Sequence, residues 1–205
     1  MENQIPNNKE ELPLAHYHEL YAALDPADVE ARCGAELSNG AFRFTFLGHT
    51  MTAAFPEFSL AAEPASRALK SAAAQILLLR YLISGKASPW LGKMMSYREL
   101  PWGSVYDANF NGRCRIRLAR TFGQNLGGFR AAAEKLGGSA ASFGDAAADF
   151  PLFCGITVRV ILNEGDDEFP ATSQFLFSDN ISSVWNAEDL AVLCEVIITA
   201  LKEVS

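Results

Sequence analysis

ITVRVILNEGDDEFPATSQFLF, residues 156–177, decides the fold class. Ile156, Val158, Val160 and Leu162 alternate with Thr157, Arg159 and Ile161, which is the two-residue period of a strand. Glu164–Glu168 is an acidic, turn-forming loop. Thr172–Phe177 then resumes an extended, aromatic pattern. Two strands joined by a connection of this length pair antiparallel. The chain therefore carries a β-hairpin late in its length, and the rest can be read outward from it.

C-terminal to the hairpin, Asn186 stands at an N-cap position. Leu190, Leu193, Ile197 and Leu201 follow at helical spacing. On the N-terminal side, Asp107–Phe122 is helical, with Phe110, Cys114, Leu118 and Phe122 on one face. A further helix over Leu126–Leu136 stops at Gly137-Gly138. The stretch 138–144 is small and flexible, and Met95–Trp102 has the mixed character of a short strand. Residues 65–84 read as a helix that is apolar nearly all round over Ala72–Ile83, hence central, with Gly85 at its end. Phe42, Phe44 and Phe46 alternate with Arg43 and Thr45, and Gly48-His49 turns the chain into Thr50–Phe55. That is a second hairpin, after which Pro56 and Pro64 bracket a loop. Two helices open the ordered part, Pro13–Leu24 and, capped by Asp25-Pro26, a short one ending at Gly34. Strands in two groups with helices between and after them predict an α+β fold, a mostly antiparallel sheet with helices packed on it. Residues 1–12 read as a disordered tail and 13–205 as a single domain.

Composition excludes several classes. Of 205 residues, 49% are hydrophobic and 20% charged, so the chain can bury a core. A formal net charge of -7 argues against general nucleic-acid binding, which needs clustered Lys and Arg, and against anionic membrane surfaces. The start, MENQIPNNKEELP, has neither the basic nor the apolar region of a signal peptide. The Ala72–Ile83 run falls short of the about 20 apolar residues of a membrane span. The expected setting is the cytoplasm. Cys33, Cys114, Cys154 and Cys194 form no CxxC pair, so no iron–sulfur or zinc motif is present and buried free thiols are expected.

Taken in order, ILLLRYLISGK (76–86), SYRELPWGSVY (96–106), GDAAADFPLF (144–153), RVILNEGDDEFPA (159–171) and FLFSDNIS with WNAEDLAVL (175–193) resemble the family filed as domain of unknown function 3786. The resemblance spans roughly residues 40–203. It implies an association with anaerobic one-carbon, corrinoid or redox metabolism and, in some relatives, an appended cysteine-rich iron–sulfur segment. This chain lacks that segment, so no cofactor carries over. The family supplies no catalytic residues to map.

Chemistry has to be sought in the residues themselves. Arg113, Arg117 and Arg120, at i, i+4 and i+7, share a face of a regular α-helix, and Arg115 lies around the helix from them. Guanidinium groups grip carboxylate or phosphate bidentately, so this face can hold an anion. It can equally be a solvated face paired with the acidic loop. Tyr97 and Trp102, with Tyr106, lie in the turn-rich stretch just before the helix, where a planar ligand could stack. The expected function is a binding module for an anionic small molecule, cofactor or redox-enzyme partner, built on Arg113, Arg117, Arg120, Tyr97 and Trp102. Two alternatives stay open. One is an enzyme in which Asp145, Asp149 or Asp179 meets Arg120, and the other is a protein–protein adaptor. Glu164, Asp166, Asp167 and Glu168 have the oxygen chemistry for a hard cation but not the spacing of a calcium-binding loop. No nucleophile or phosphate-loop motif is present.

Overall fold

The computed structural model describes residues 14–205, so the tail expected over residues 1–12 lies outside the described residues. The fold is α+β, and each strand group builds its own antiparallel sheet.

Two short helices lead in. α1 is Leu14–Ala22 and α2 is Pro26–Cys33. The Asp25 side chain accepts the Ala27 N–H, Pro26 occupies the first turn and Gly34 closes α2 with φ 63°.

The first sheet is a meander, β1 (Glu36–Ser38), β2 (Ala41–Phe46), β3 (His49–Ala54) and β4 (Leu60–Glu63). The aromatic hairpin is there, with Phe46 opposite His49. Its turn is Leu47-Gly48, both with positive φ, the pattern of a two-residue hairpin loop. His49 thus belongs to the strand and is buried. A Cβ on Gly48 would lie 2.6 Å from the carbonyl carbon of Leu136, so the hairpin tip abuts the end of α6 (Leu126–Lys135). The stretch between Pro56 and Pro64, read as a loop, contains β4.

α3 (Ala72–Ser84) is buried on most of its circumference, as its composition predicts. It starts at a Ser71 cap rather than at residue 65. Residues 66–68 instead form a turn held by Glu203. The Arg67 and Ala68 N–H groups and the Ser66 hydroxyl all donate to that carboxylate, at 2.8–2.9 Å.

The second sheet has the order β5-β9-β8-β7-β6, from β5 (Met94–Ser96), β6 (Ser139–Ala141), β7 (Ala146–Pro151), β8 (Thr157–Asn163) and β9 (Thr172–Ser178). β8 and β9 pair antiparallel as read, with Val160 opposite Phe175. The stretch 138–144, read as flexible, supplies β6. Over this sheet lie α4 (Gly103–Phe110), α5 (Arg117–Phe122), α6 and the long α7 (Ala187–Val204). One cluster of buried side chains runs through both sheets. Phe153 links them, stacking on Tyr81 at 3.6 Å and meeting Phe44, Phe46 and Trp185. Cys33, Cys114 and Cys194 are buried free thiols.

Candidate anion-binding groove

α4 and α5 are one continuous rod, joined over Asn111–Ile116 by a π-helical turn. Its wider i→i+5 hydrogen bonding adds a residue to the turn and rotates everything after it. The arginines are consequently dealt to two sides. Arg113 and Arg117 face α7. The Arg113 guanidinium grips Glu195 through Nε and Nη2, both at 3.0 Å, and reaches Glu188 at 3.0 Å through Nη1. These bonds, Glu195 foremost, raise its affinity for the proton above the usual arginine value, against the opposing effect of burial. Arg117 donates to Thr199 Oγ1 at 2.9 Å.

Arg115 and Arg120 line a groove of about 610 Å³ between the rod and the entry to β9. Arg115 is held in place. It donates to Asp107 Oδ1 at 2.7 Å, its guanidinium lies 5.0 Å from the Phe110 ring centroid, and its carbonyl accepts the Ser173 hydroxyl. Arg120 is exposed, and no ion pair or hydrogen bond of its side chain occurs among the described residues. Asn111, Gln124, Thr172 and Ser173 add polar groups, Ile116, Ala119, Pro170 and Ala171 add apolar wall, and no carboxylate lines the groove. One end is closed by the acidic loop, where Gln124 Nε2 donates to the Gly165 carbonyl. The Asp166 carboxylate turns back to accept the Phe169 and Glu168 N–H groups, which hold its pKa below the usual range. Thus the loop is tied to itself, and the arginines find their acidic partners on α7 and α4 instead.

The five residues singled out in the sequence do not converge. Arg113 and Arg117 are committed to α7, and only Arg120 reaches the groove. Tyr97 is fully buried. It stacks on Phe110 at 3.8 Å and donates its hydroxyl to the Ala187 carbonyl, and burial pushes its pKa up. A ligand has no access to its ring. Trp102 is 54% exposed with φ 65°, beside Gly103, where a Cβ would sit 1.7 Å from the Tyr97 carbonyl oxygen. It lines a different cavity, together with Arg80, Trp185 and Asp189. Arg115, set aside because it leaves the regular α-helical face, is the groove residue that the sequence reading missed.

The second cavity has its own chemistry. Arg80 and Asp189 pair at 3.0 Å where spaces of about 230 and 290 Å³ adjoin, one walled by Ala73, Ile76 and Val192, the other by Pro101 and Trp102. Burial raises the Asp189 pKa, and the Arg80 charge offsets part of that rise. The aspartates considered for an enzyme lie elsewhere with partners of their own. Asp145 accepts the Glu164 N–H, Asp149 binds Arg159 at 2.6 and 2.7 Å, and Asp179 accepts the Leu91 and Lys93 N–H groups. Among the described residues no group of three or more His, Cys, Asp or Glu side chains could hold a metal ion, and no helix is long and apolar enough to cross a membrane.

A family model described as domain of unknown function (DUF3786) matches residues 25–200. The chain belongs to this family. No curated protein and no solved structure matches it. Within this DUF3786 chain the match takes in both sheets, the π-turn and the groove, and ends four residues short of the end of α7.

Proposed function

We propose that this DUF3786 chain is a binding module for an anionic ligand, seated in the groove between the α4–α5 rod and β9. Arg115 is the fixed charge of the site and Arg120 the mobile one. The observation that carries this reading is the lining. Two guanidinium groups face a groove without a carboxylate, in a chain of formal net charge -7, and one of them has no protein partner. A groove of this size suits a metabolite or a few residues of chain.

The test is a calorimetric panel of citrate, sugar phosphates and nucleoside phosphates, with native mass spectrometry of protein purified without oxygen to detect a ligand carried through. A charge-assisted hydrogen bond contributes about 1.5–3 kcal/mol, so Arg120→Ala should weaken the bound anion by roughly 10- to 150-fold while leaving the melting temperature in place. Equal binding by wild type and Arg120→Ala overturns the reading.

A further inference from the structure

We infer that the anion is carried on an extended acidic segment of a partner protein, which adds as a strand to the open edge of β9. This rests on the groove reading above and goes further, because it uses the backbone as well as the charge.

β5 pairs with β9 only through Met94–Ser96, opposite Ser178–Leu176. At Ser96 the chain leaves the sheet. Glu99 accepts both the backbone N–H and the hydroxyl of Ser96, turning the segment into a 3₁₀ helix, and Tyr97 goes under Phe110. Thr172–Phe175 therefore have β8 on one side and no strand on the other. An unoccupied edge presents a row of backbone donors and acceptors that a further strand can pair with. This stretch of edge begins in the groove, with Thr172 and Ser173 on one wall and Arg115, Ile116 and Arg120 on the other. A peptide laid there gains main-chain hydrogen bonds from β9, while every second side chain points at the helical wall. Acidic residues at those positions meet the two guanidinium groups, and apolar ones meet Ile116, itself 40% exposed. Phe169, 67% exposed at the groove mouth, extends the apolar contact. A free metabolite would satisfy the arginines and leave the edge bare; an acidic strand uses both.

The probe is a displayed library of random heptapeptides, selected on the full chain. Recovery of peptides with acidic residues at alternate positions is expected. A synthetic consensus peptide should lose at least tenfold in affinity in Arg120→Ala, and at least tenfold when its alternate backbone amides are N-methylated. Its binding should also slow amide exchange at Thr172–Phe175. Failure to recover acidic peptides overturns the inference, as does a peptide indifferent to N-methylation. Dimerisation of the chain through β9, seen as a doubled mass in solution, would assign the edge to a second copy and overturn it too. If citrate binds wild type but not Arg120→Ala while peptides fail, the anion groove survives and strand addition alone falls.

Discussion

Arg113 and Arg115 are separated by one residue, belong to the same π-turn, and do opposite things. Arg113, with Arg117 beside it, spends its hydrogen bonds on α7, and what it holds together is the fold. Arg115, with Arg120, turns toward open space, and the charge there is presented to whatever enters. The lesson is that a cluster of like charges in a sequence is not one feature. The helix phase that carries it decides which members are structural and which face a ligand, and here a single widened turn draws the line.

The largest effect expected of any change to this pattern is on the structural side. Arg113→Ala leaves Glu188 and Glu195, both partly buried, repelling each other with no cation between them. The cost should be about 2–3 kcal/mol in urea denaturation, below the range for fully buried pairs because the group retains some solvent. Groove affinity should hold. A loss of groove affinity with stability intact would erase the contrast. Arg115→Ala should come next, at about 1 kcal/mol, since the Asp107 pairing and the Phe110 contact go together; unlike Arg113→Ala, it should also weaken the anion, which sharpens the division.

α7 allows the same comparison between its two ends, by pH. Glu203 is held below the ordinary carboxylate pKa, chiefly by the Ala68 N–H and then the Arg67 N–H. Its contribution is therefore fully present above the unfolded value and disappears as pH falls through the lower, folded one. Glu203→Gln should cost about 1 kcal/mol at neutral pH and flatten the acid limb of the stability curve. Asp189 has the reverse sign. Burial raises its pKa, so the folded state loses stability as pH climbs from the unfolded value through the folded one. Asp189→Asn should remove that decline in a pH series of thermal melts. The smallest effect on stability is Arg120→Ala, within about 0.5 kcal/mol of wild type. A larger loss would show that its side chain is structural after all.

Much of this architecture was legible in the sequence. Alternating, bulky strands such as β2 and β8 announce themselves, and caps at Asp25 and Asn186 mark helix starts that the structure confirms. The strands that escaped are poor in β-formers. β7 begins with Ala146, Ala147 and Ala148, all buried, so no alternation exists to read, and β4 is Leu-Ala-Ala-Glu. Their pairing is imposed by neighbouring strands rather than by local preference. The groove was half visible. Its residue types were found, but the grouping was wrong because a regular helix was assumed. One clue was present. Phe110, Cys114, Leu118 and Phe122 are all buried at strict four-residue spacing, whereas such a run drifts by about 40° per step around a 3.6-residue helix. A widened turn is what keeps them together. Tyr97 failed as a ligand contact for a different reason, since nothing local reveals that Phe110 covers it.

The way the chain order maps onto the two sheets also bears on how the protein is made. The meander β1–β4 pairs each strand with its immediate neighbour and can close soon after it leaves the ribosome. The elements that follow cannot. Tyr97 bonds to Ala187, 90 residues on, and the turn before α3 is tied to Glu203 from as many as 137 residues away. β5 likewise waits for β9, and the central helix waits for α7 to cover it. Assembly of the second sheet is thus a late, long-range event. A nascent chain stalled before α7 would carry a finished meander and an uncovered apolar α3, the species that a chaperone would be needed to shield.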